Sequence, residues 1–278
     1  MNTDTITDMT EMLVPLDGRE PSLRSLPRAG RIATRLGLSL RLLSVADDVE
    51  ATRAWLAAKA AELLPETAVE VEVTSGADPA EAIRAAAGPS TLICMATAAT
   101  LRPHQGHVGS VAELVVRSAR QPVMLIGPKV DLDPGVPTGK VVVPVDGSIL
   151  SEQALAIAGG LAAALDVPAW VVTVIPAKVE AAAGRELGGS PLGPESGYVR
   201  RLASDLGRDH GVPTSYEVLH IDDPADAILD FAGADGLVVM STHGRSGLSR
   251  LFGGSVALGV VAGAARPVVV VRPDEAEA

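Results

Sequence analysis

The chain is poor in cysteine and in aromatic residues. It has one cysteine among 278 residues, and two residues each of Trp, Tyr and Phe. A single cysteine excludes a disulfide within the chain and a thiolate metal cluster. Cys94 lies in the apolar run Leu92–Met95, and we expect it to be a small buried hydrophobic residue. The core must therefore consist mainly of Ala, Val and Leu, and few rings are available to stack on bases.

Basic residues and long apolar runs are also scarce. The chain has 23 Lys and Arg against 34 Asp and Glu, which gives a net charge of −11. This balance argues against nucleic acid or an anionic membrane surface as a partner. Residues Met1–Glu11 lack the apolar centre of a signal peptide, and the uncharged stretch Leu251–Ala265 is too short to span a bilayer. We therefore expect a soluble, cytoplasmic protein.

The sequence contains an internal repeat. Val14–Gly18 (Val-Pro-Leu-Asp-Gly) recurs as Val143–Gly147 (Val-Pro-Val-Asp-Gly), an offset of 129 residues. Three later matches share an offset of 145 and pair residues 78–83 with 223–228, 109–112 with 254–257, and 120–123 with 265–268. The two offsets differ by 16 residues, which predicts an insertion in the second copy. We place it in the Gly- and Pro-rich stretch Ala181–Gly197 as a flexible loop.

The repeat predicts two domains, at residues 9–129 and 138–274, joined by a short stiff linker over Lys129–Gly139. Each copy alternates apolar strands with helices, with strands predicted at 12–16, 40–45, 69–74, 91–95 and 122–126, and at 140–145, 170–175, 215–219, 236–240 and 267–271. Asp78 and Asp223 are predicted N-caps, each followed by Pro, and an Ala-rich helix is predicted over 153–165. This pattern is typical of an α/β fold with two tandem, doubly wound, five-stranded parallel sheets, which bind ligands beyond the carboxyl ends of their strands.

A glycine-bearing loop follows the fourth strand of the second copy. It begins at Ser241 and contains Gly244 and Gly247, and Gly254 and Ser255 then open a helix. Glycine lets a backbone approach a phosphate, and free N–H groups at a helix start attract anions; Arg245 and Arg250 add positive charge. The pattern alone is equally typical of a simple turn. The chain has no Gly-x4-Gly-Lys-Ser/Thr motif, which excludes a P-loop ATPase, and no spaced Gly-x-Gly-x-x-Gly after its first strand, which disfavours a dinucleotide enzyme.

With these residues in view, the chain resembles the universal stress protein family in its tandem form, over nearly its whole length. The family pattern Gly-x2-Gly-x9-Gly-Ser/Thr is matched as Ser241-x2-Gly244-x9-Gly254-Ser255, with Pro144 and Asp146 also in place. The resemblance implies ATP in the second copy, with or without Mg2+, and adenine near Pro144, Asp146 and Val174. The complete set of cofactor-binding residues that it implies is Pro144, Val145, Asp146, Val174, Met240, Ser241, Gly244, Arg245, Gly247, Gly254, Ser255 and Val256.

The first copy departs further from the family pattern. Its aligned string is Ala96-x2-Ala99-x9-Gly109-Ser110, with alanine at both early glycine positions. If those positions require a left-handed φ, two alanines cost about 2–4 kcal/mol together and Ser241 roughly 1 kcal/mol. We therefore expect one strong ATP site per chain, in the second copy. The resemblance also implies that the fifth strands of paired domains meet antiparallel, either inside one chain or in a homodimer.

No catalytic residue or metal ligand is identified. His104 and His107 have metal-like spacing but no carboxylate or thiol beside them, and Asp222-Asp223 reads as a loop residue and an N-cap. The expected function is that of a stress-response protein, in which ATP binding drives a sensor or interaction module and hydrolysis is slow at most. Two alternatives remain open at this point. One is an ATP-hydrolysing enzyme that uses Asp146 and His243, and the other is a binder of AMP or cyclic AMP.

Overall fold

The computed structural model describes residues 9–19, 22–23, 25–97, 110–130, 139–175, 194–242 and 255–273. The strands within these ranges are β1 Glu11–Pro15, β2 Ser39–Val45, β3 Val69–Thr74, β4 Thr91–Ala96, β5 Val123–Ile126, β6 Lys140–Pro144, β7 Ala169–Val174, β8 Thr214–Leu219, β9 Gly236–Ser241 and β10 Val268–Val271. The helices are α1 Leu26–Leu36, α2 Val49–Leu63, α3 Pro79–Ala86, α4 Ser110–Ser118, α5 Ile149–Glu152, α6 Ala154–Leu165, α7 Pro194–His210, α8 Pro224–Ala232 and α9 Ser255–Gly263. Every predicted strand is present, with its ends within one residue of the prediction.

The strands form one ten-stranded sheet in the order β3-β2-β1-β4-β5-β10-β9-β6-β7-β8. Each half has the same internal order and pairs its own strands in parallel. We call β1–β5 with their helices the first lobe and β6–β10 with theirs the second lobe. The lobes join through antiparallel pairing of β5 with β10, in which Leu125 lies opposite Val268 and Val123 opposite Val270. The doubly wound tandem fold is confirmed, and the fifth strands pair within one chain.

The central strands are buried on both faces, as a parallel sheet covered by helices requires. Adjacent residues of β6 illustrate this: Val142 and Val143 are both fully buried but belong to different apolar clusters, one on each face of the sheet. Glycine allows close helix packing at equivalent points of the two lobes. A Cβ on Gly30 of α1 would overlap Leu64, and one on Gly159 of α6 would overlap His210. Both positions therefore retain glycine despite its cost of about 1 kcal/mol inside a helix.

Helix starts follow local sequence closely. The Asp78 carboxylate accepts hydrogen bonds from the N–H groups of residues 80 and 81, and that of Asp223 from those of residues 225 and 226, so both predicted N-caps are confirmed. The helix predicted over 153–165 is present as α6. A single turn, α5, precedes α6, and Gln153 is the N-cap residue of α6.

The inserted segment differs from its prediction. We expected a loop over Ala181–Gly197, but α7 begins at Pro194, and residues 176–193 lie outside the described part of the chain. The buried residues of α7 also show where the insertion lies within the repeat. Val199 of α7 corresponds to Leu56 of α2 at an offset of 143, and both residues are fully buried. Fourteen of the extra residues therefore lie between β7 and Val199, and two lie between Val199 and β8.

Candidate functional site

Predicted binding residues from distant parts of the sequence meet at one edge of the second lobe. After β6 the chain builds β7 and β8 on one side of that strand and then returns to place β9 on its other side. Such a switch point opens a crevice at the carboxyl ends of the strands. The predicted residues that the structure brings to this edge are Pro144, Val145, Asp146, Val174, Met240 and Ser241.

The turn that carries Asp146 is held by a dense set of hydrogen bonds. Gly147 has φ +84°, a left-handed conformation that favours glycine. The Asp146 Oδ1 atom accepts bonds from the backbone N–H of Ser148 at 3.1 Å and from its Oγ at 2.6 Å. The Asp146 N–H donates to Ser151 Oγ at 3.2 Å, and Ser148 also caps α5. The exposed carboxylate is therefore oriented before any ligand arrives.

Sequence reasoning missed a polar pair beside this turn. Tyr198 of α7 donates its hydroxyl to Glu152 Oε1 at 2.8 Å, and both side chains are half-buried. Burial is the largest cause that raises the pKa of Tyr198 well above the ordinary tyrosine value, and the hydrogen bond to Glu152 and the nearby charges of Glu152 and Asp146 raise it further. The phenol therefore stays protonated and remains a donor. The scarcity of aromatic residues in the chain was the only sequence signal for it.

The backbone at Ser241 corrects the strain expected at this position. Ser241 ends β9 in register with Val271, and the N–H of Thr242 donates to the Val271 carbonyl at 2.9 Å. Ala96 likewise ends β4, opposite Ile126. Strand pairing requires extended backbone here, and Asp166 is the one non-glycine residue with positive φ in the described ranges. The predicted left-handed strain is therefore wrong for Ser241 and for Ala96.

The rest of the predicted glycine loop lies outside the described residues. This applies to Gly244, Arg245, Gly247 and Gly254, together with His243, Arg250 and, in the first copy, Ala99. On the far side of the loop, Ser255 is the first residue of α9 and Val256 follows it, half-buried. The described part of α9 thus includes Ser255, as predicted for a helix at this position.

The first lobe has a matching turn. The Asp17 Oδ1 atom accepts hydrogen bonds from the Arg19 N–H at 3.0 Å and from Ser22 Oγ at 2.6 Å, and Gly18 has φ +75°. Trp55 of α2 lies beside this turn, with its Cη2 atom 3.7 Å from where a Cβ on Gly18 would be. Asp17 thus repeats the hydrogen bond from the N–H two residues on, whereas its hydroxyl donor, Ser22, stands at the position of Ser151 and not of Ser148.

Other candidate chemistry is limited within the described ranges. Cys94 is fully buried, and burial raises the pKa of its thiol to about 12, so the reactive thiolate is suppressed. Among the described residues, His, Cys, Asp and Glu do not gather in a group of three or more that could hold a metal ion. None of the described helices combines the length and the hydropathy needed to cross a bilayer.

Comparison with known proteins identifies relatives of both lobes. The sequence model of the Universal stress protein family matches residues 9–127 and 137–272. A universal stress protein of Mycobacterium tuberculosis is 33% identical over 176 residues, which are 60% of this chain and 57% of the relative. The match thus spans little more than half of that relative's length. A universal stress protein of Methanocaldococcus jannaschii is 32% identical over 145 residues, 50% of this chain and 84% of the relative.

Solved structures share the complete two-lobed fold. A universal stress protein from Archaeoglobus fulgidus has a TM-score of 0.66 at 20% identity, covering 95% of this chain and 98% of its own. A protein of Pseudomonas aeruginosa described as functionally unknown has a TM-score of 0.60 at 18% identity, covering 98% and 95%. At these identities the likeness shows the fold alone.

Proposed function

The chain belongs to the universal stress protein family, and from that premise we propose that its second lobe binds ATP and acts as a nucleotide-dependent sensor or interaction module in a cytoplasmic stress response. The observation that carries the proposal is the preorganised Asp146 turn at the switch point between β6 and β9. An acceptor held in place before binding loses little conformational entropy when a ligand arrives, which favours affinity.

The residues around the turn fit the two ends of a nucleotide. Val145 and Met240 are buried beneath the edge, and Pro144 and Val174 are partly exposed there, which offers apolar surface to a base. Asp146 can accept hydrogen bonds from ribose hydroxyls. On the phosphate side, α9 begins at Ser255, so its free N–H groups and the positive end of its dipole can face an anion. Arg245 of the loop would add charge, and Mg2+ would accompany the phosphates.

Binding without efficient hydrolysis suits these residues. The described edge has Asp146 as its exposed carboxylate, and that group already accepts two hydrogen bonds from Ser148. An acceptor committed in this way is poorly placed to serve as a base toward an attacking water. A homodimer would have to use a surface other than β5, because β4 and β10 already occupy both sides of that strand.

The proposal is tested by calorimetric titration of nucleotide-stripped protein with ATP, AMP and cyclic AMP. We expect one ATP per chain, an affinity at least about tenfold weaker in Asp146→Ala, and little change in the matched variant Asp17→Ala of the first lobe. Two equal ATP sites, or an affinity indifferent to Asp146→Ala, would contradict it. If AMP bound as tightly as ATP and Arg245→Ala had no effect, the ligand would be a shorter adenine nucleotide. Phosphate release that disappears in Asp146→Ala would indicate an enzyme.

A further inference from the structure

The base side of the crevice repeats the same backbone features in the two lobes. Leu16 donates its N–H to Leu43 O at 2.8 Å, and Val145 donates to Val172 O at 2.8 Å. The aspartate that follows each of these residues accepts two bonds on one oxygen, and the next residue is a glycine with φ of +75° or +84°. The first lobe has therefore kept the backbone and the acceptor that the second lobe offers to a nucleoside.

The phosphate side of the first lobe has changed in sequence. At the repeat offset of 145, Ala99 stands at the position of Gly244, Thr100 at that of Arg245, and Gln105 at that of Arg250. Glycine lets the backbone approach a phosphate and arginine supplies positive charge, so each replacement removes affinity for phosphate.

The aromatic residue beside the turn has changed together with its neighbour. Trp55 and Tyr198 lie at equivalent points of α2 and α7, each followed by a fully buried residue. Tyr198 is tied to Glu152, whereas the counterpart of Glu152 in the first lobe is Leu23, which has no hydrogen-bonding side chain. Trp55 remains 37% exposed beside Gly18, the residue that follows Asp17, and the Asp17 side chain is 59% exposed. An indole beside an oriented acceptor can stack on a base while the acceptor binds a ribose.

We propose that the first lobe is a second binding site, specific for a purine nucleoside that carries no phosphate or one phosphate, with Trp55 against the base and Asp17 accepting from the ribose. This inference rests on the proposed function for the assignment of the base side, but it concerns a different lobe and a different ligand. The two lobes would then report two different chemical species, a triphosphate in the second and a dephosphorylated product in the first.

Trp55 also reports on its own site. The other tryptophan, Trp170, is near the amino end of β7, at the opposite edge of the sheet, so Trp170→Phe leaves Trp55 as the single indole. Adenosine, AMP and ATP are titrated into the full-length Trp170→Phe chain, with fluorescence and equilibrium dialysis as readouts. Adenosine and AMP are titrated at an ATP concentration that just saturates the second lobe, and all three ligands are titrated in an Asp146→Ala background, which disables that lobe.

We expect adenosine to change Trp55 emission saturably at one molecule per chain in both settings, with AMP binding within a few-fold and ATP no tighter. Asp17→Ala should weaken adenosine by at least about tenfold, and Trp55→Ala by roughly 5- to 100-fold as measured by dialysis. Asp17→Asn, which keeps an acceptor oxygen, should remain within a few-fold and shows that the turn still folds.

Three results would overturn the inference: no saturable response to adenosine up to millimolar concentration, a response that Asp146→Ala removes and Asp17→Ala leaves intact, or ATP binding in the first lobe more than tenfold tighter than adenosine. Failure of the proposed function has a different signature. ATP would then not bind in a manner sensitive to Asp146→Ala, while the response of Trp55 to adenosine would still depend on Asp17.

Discussion

Arg35 donates a 3.2 Å hydrogen bond from Nη1 to the backbone carbonyl of Ala164. Ala164 occupies, in the second copy of the repeat, the position that Arg35 has in the first. The Arg35 Nη2 atom donates to the carbonyl of Leu165 at 2.6 Å. The carboxyl-terminal ends of α1 and α6 thus meet across the junction of the lobes. Each end has carbonyls without a partner inside its helix and a partial negative charge. The single guanidinium of Arg35 therefore binds carbonyls at the end of α6, and the small side chain of Ala164 leaves room for it.

Replacing Arg35 tests whether this contact stabilises the pairing of the lobes. We expect Arg35→Ala to lower the free energy of unfolding by about 1 kcal/mol, because two carbonyls lose a charged donor. Arg35→Lys should have an intermediate effect, because it keeps the charge but not the paired donors. Urea denaturation measures the change. Lys59→Ala, which removes only a surface pair with Glu62, is the control, and equal stability of Arg35→Ala and this control would argue against the contact.

The amino edge of the two lobes is held by different chemistry at equivalent positions. In the first lobe Arg41 donates to Glu11 at 2.8 and 2.9 Å and also to Glu72. In the second lobe Lys140 stands at the position of Glu11 and Trp170 at that of Arg41. The ammonium of Lys140 lies 5.7 Å from the Trp170 ring centroid, and 4.0 Å from that of Phe231. An ion network has thus been exchanged for a cation–π cluster.

The stability that the Arg41–Glu11 pair gives to the first lobe should decrease at acid pH. The hydrogen bond from Arg41 is the largest cause that lowers the pKa of Glu11 below its ordinary value, and this outweighs burial, which raises it. A carboxyl whose pKa is lower in the folded state stabilises the fold above the unfolded-state pKa and loses that contribution as pH falls through the folded value. We expect Glu11→Gln to lower the free energy of unfolding by about 1–2 kcal/mol at pH 7 and by much less at acid pH.

Denaturation of both proteins from pH 7 down to pH 3 measures this difference. Lys140→Met is the matched control in the second lobe. Because this cation–π contact joins an ammonium to two rings and no carboxyl group, its loss of about 0.5–1 kcal/mol should be constant with pH. A Glu11→Gln effect equally constant with pH would show that Glu11 contributes by packing alone.

The Tyr198–Glu152 hydrogen bond predicts a late-ionising phenol. Burial and the two neighbouring carboxylates raise the pKa of Tyr198, so its stabilising contribution is present below the ordinary tyrosine pKa and is lost as pH rises above that value. The absorbance difference between the original protein and Tyr198→Phe during alkaline titration isolates this residue. We expect its transition above that of a free tyrosine, and a return to the ordinary value in urea. An ordinary transition in the folded protein would refute the assigned environment.

Asp166 offers a stabilising substitution suggested by the repeat itself. It ends α6 with φ +55°, and its counterpart Gly37 ends α1 with φ +69°. A left-handed backbone conformation is unstrained for glycine but strained for other residues. Asp166→Gly should therefore raise the free energy of unfolding by about 0.5–1 kcal/mol. Gly37→Ala should lower it by about 1 kcal/mol, although no atom lies within 4 Å of the added methyl group. Thermal denaturation compares the two, and shifts of the same sign would exclude backbone strain as the cause.

Cys94 should resist thiol reagents in the folded protein. The residue is fully buried and burial raises the pKa of its thiol to about 12, so the nucleophilic thiolate is rare and shielded. We expect no reaction with an aromatic disulfide reagent at pH 8 until urea unfolds the chain, and then one equivalent per chain. Prompt labelling without denaturant would mean that the first lobe opens locally around β4.

The sequence by itself determined the elements whose causes are local. The repeat, the ten strands and the Asp78 and Asp223 caps follow from apolar patterning and from residues that act on their immediate neighbours. The family resemblance correctly implied the antiparallel meeting of β5 and β10. The left-handed strain expected at Ser241 was wrong, because pairing with β10 governs that backbone.

Only the tertiary structure decided the relationships between distant residues. Arg35 reaches Ala164, and Tyr198 reaches Glu152, across separations of 129 and 46 residues. Contacts of this kind depend on how helices of given length cross a twisted sheet, and no periodicity along the chain encodes that geometry. The same packing places Trp55 beside Gly18, in the turn that carries Asp17. The sequence therefore identified two related lobes, and the folded chain showed where the carboxyl edge of the first lobe still matches that of the second.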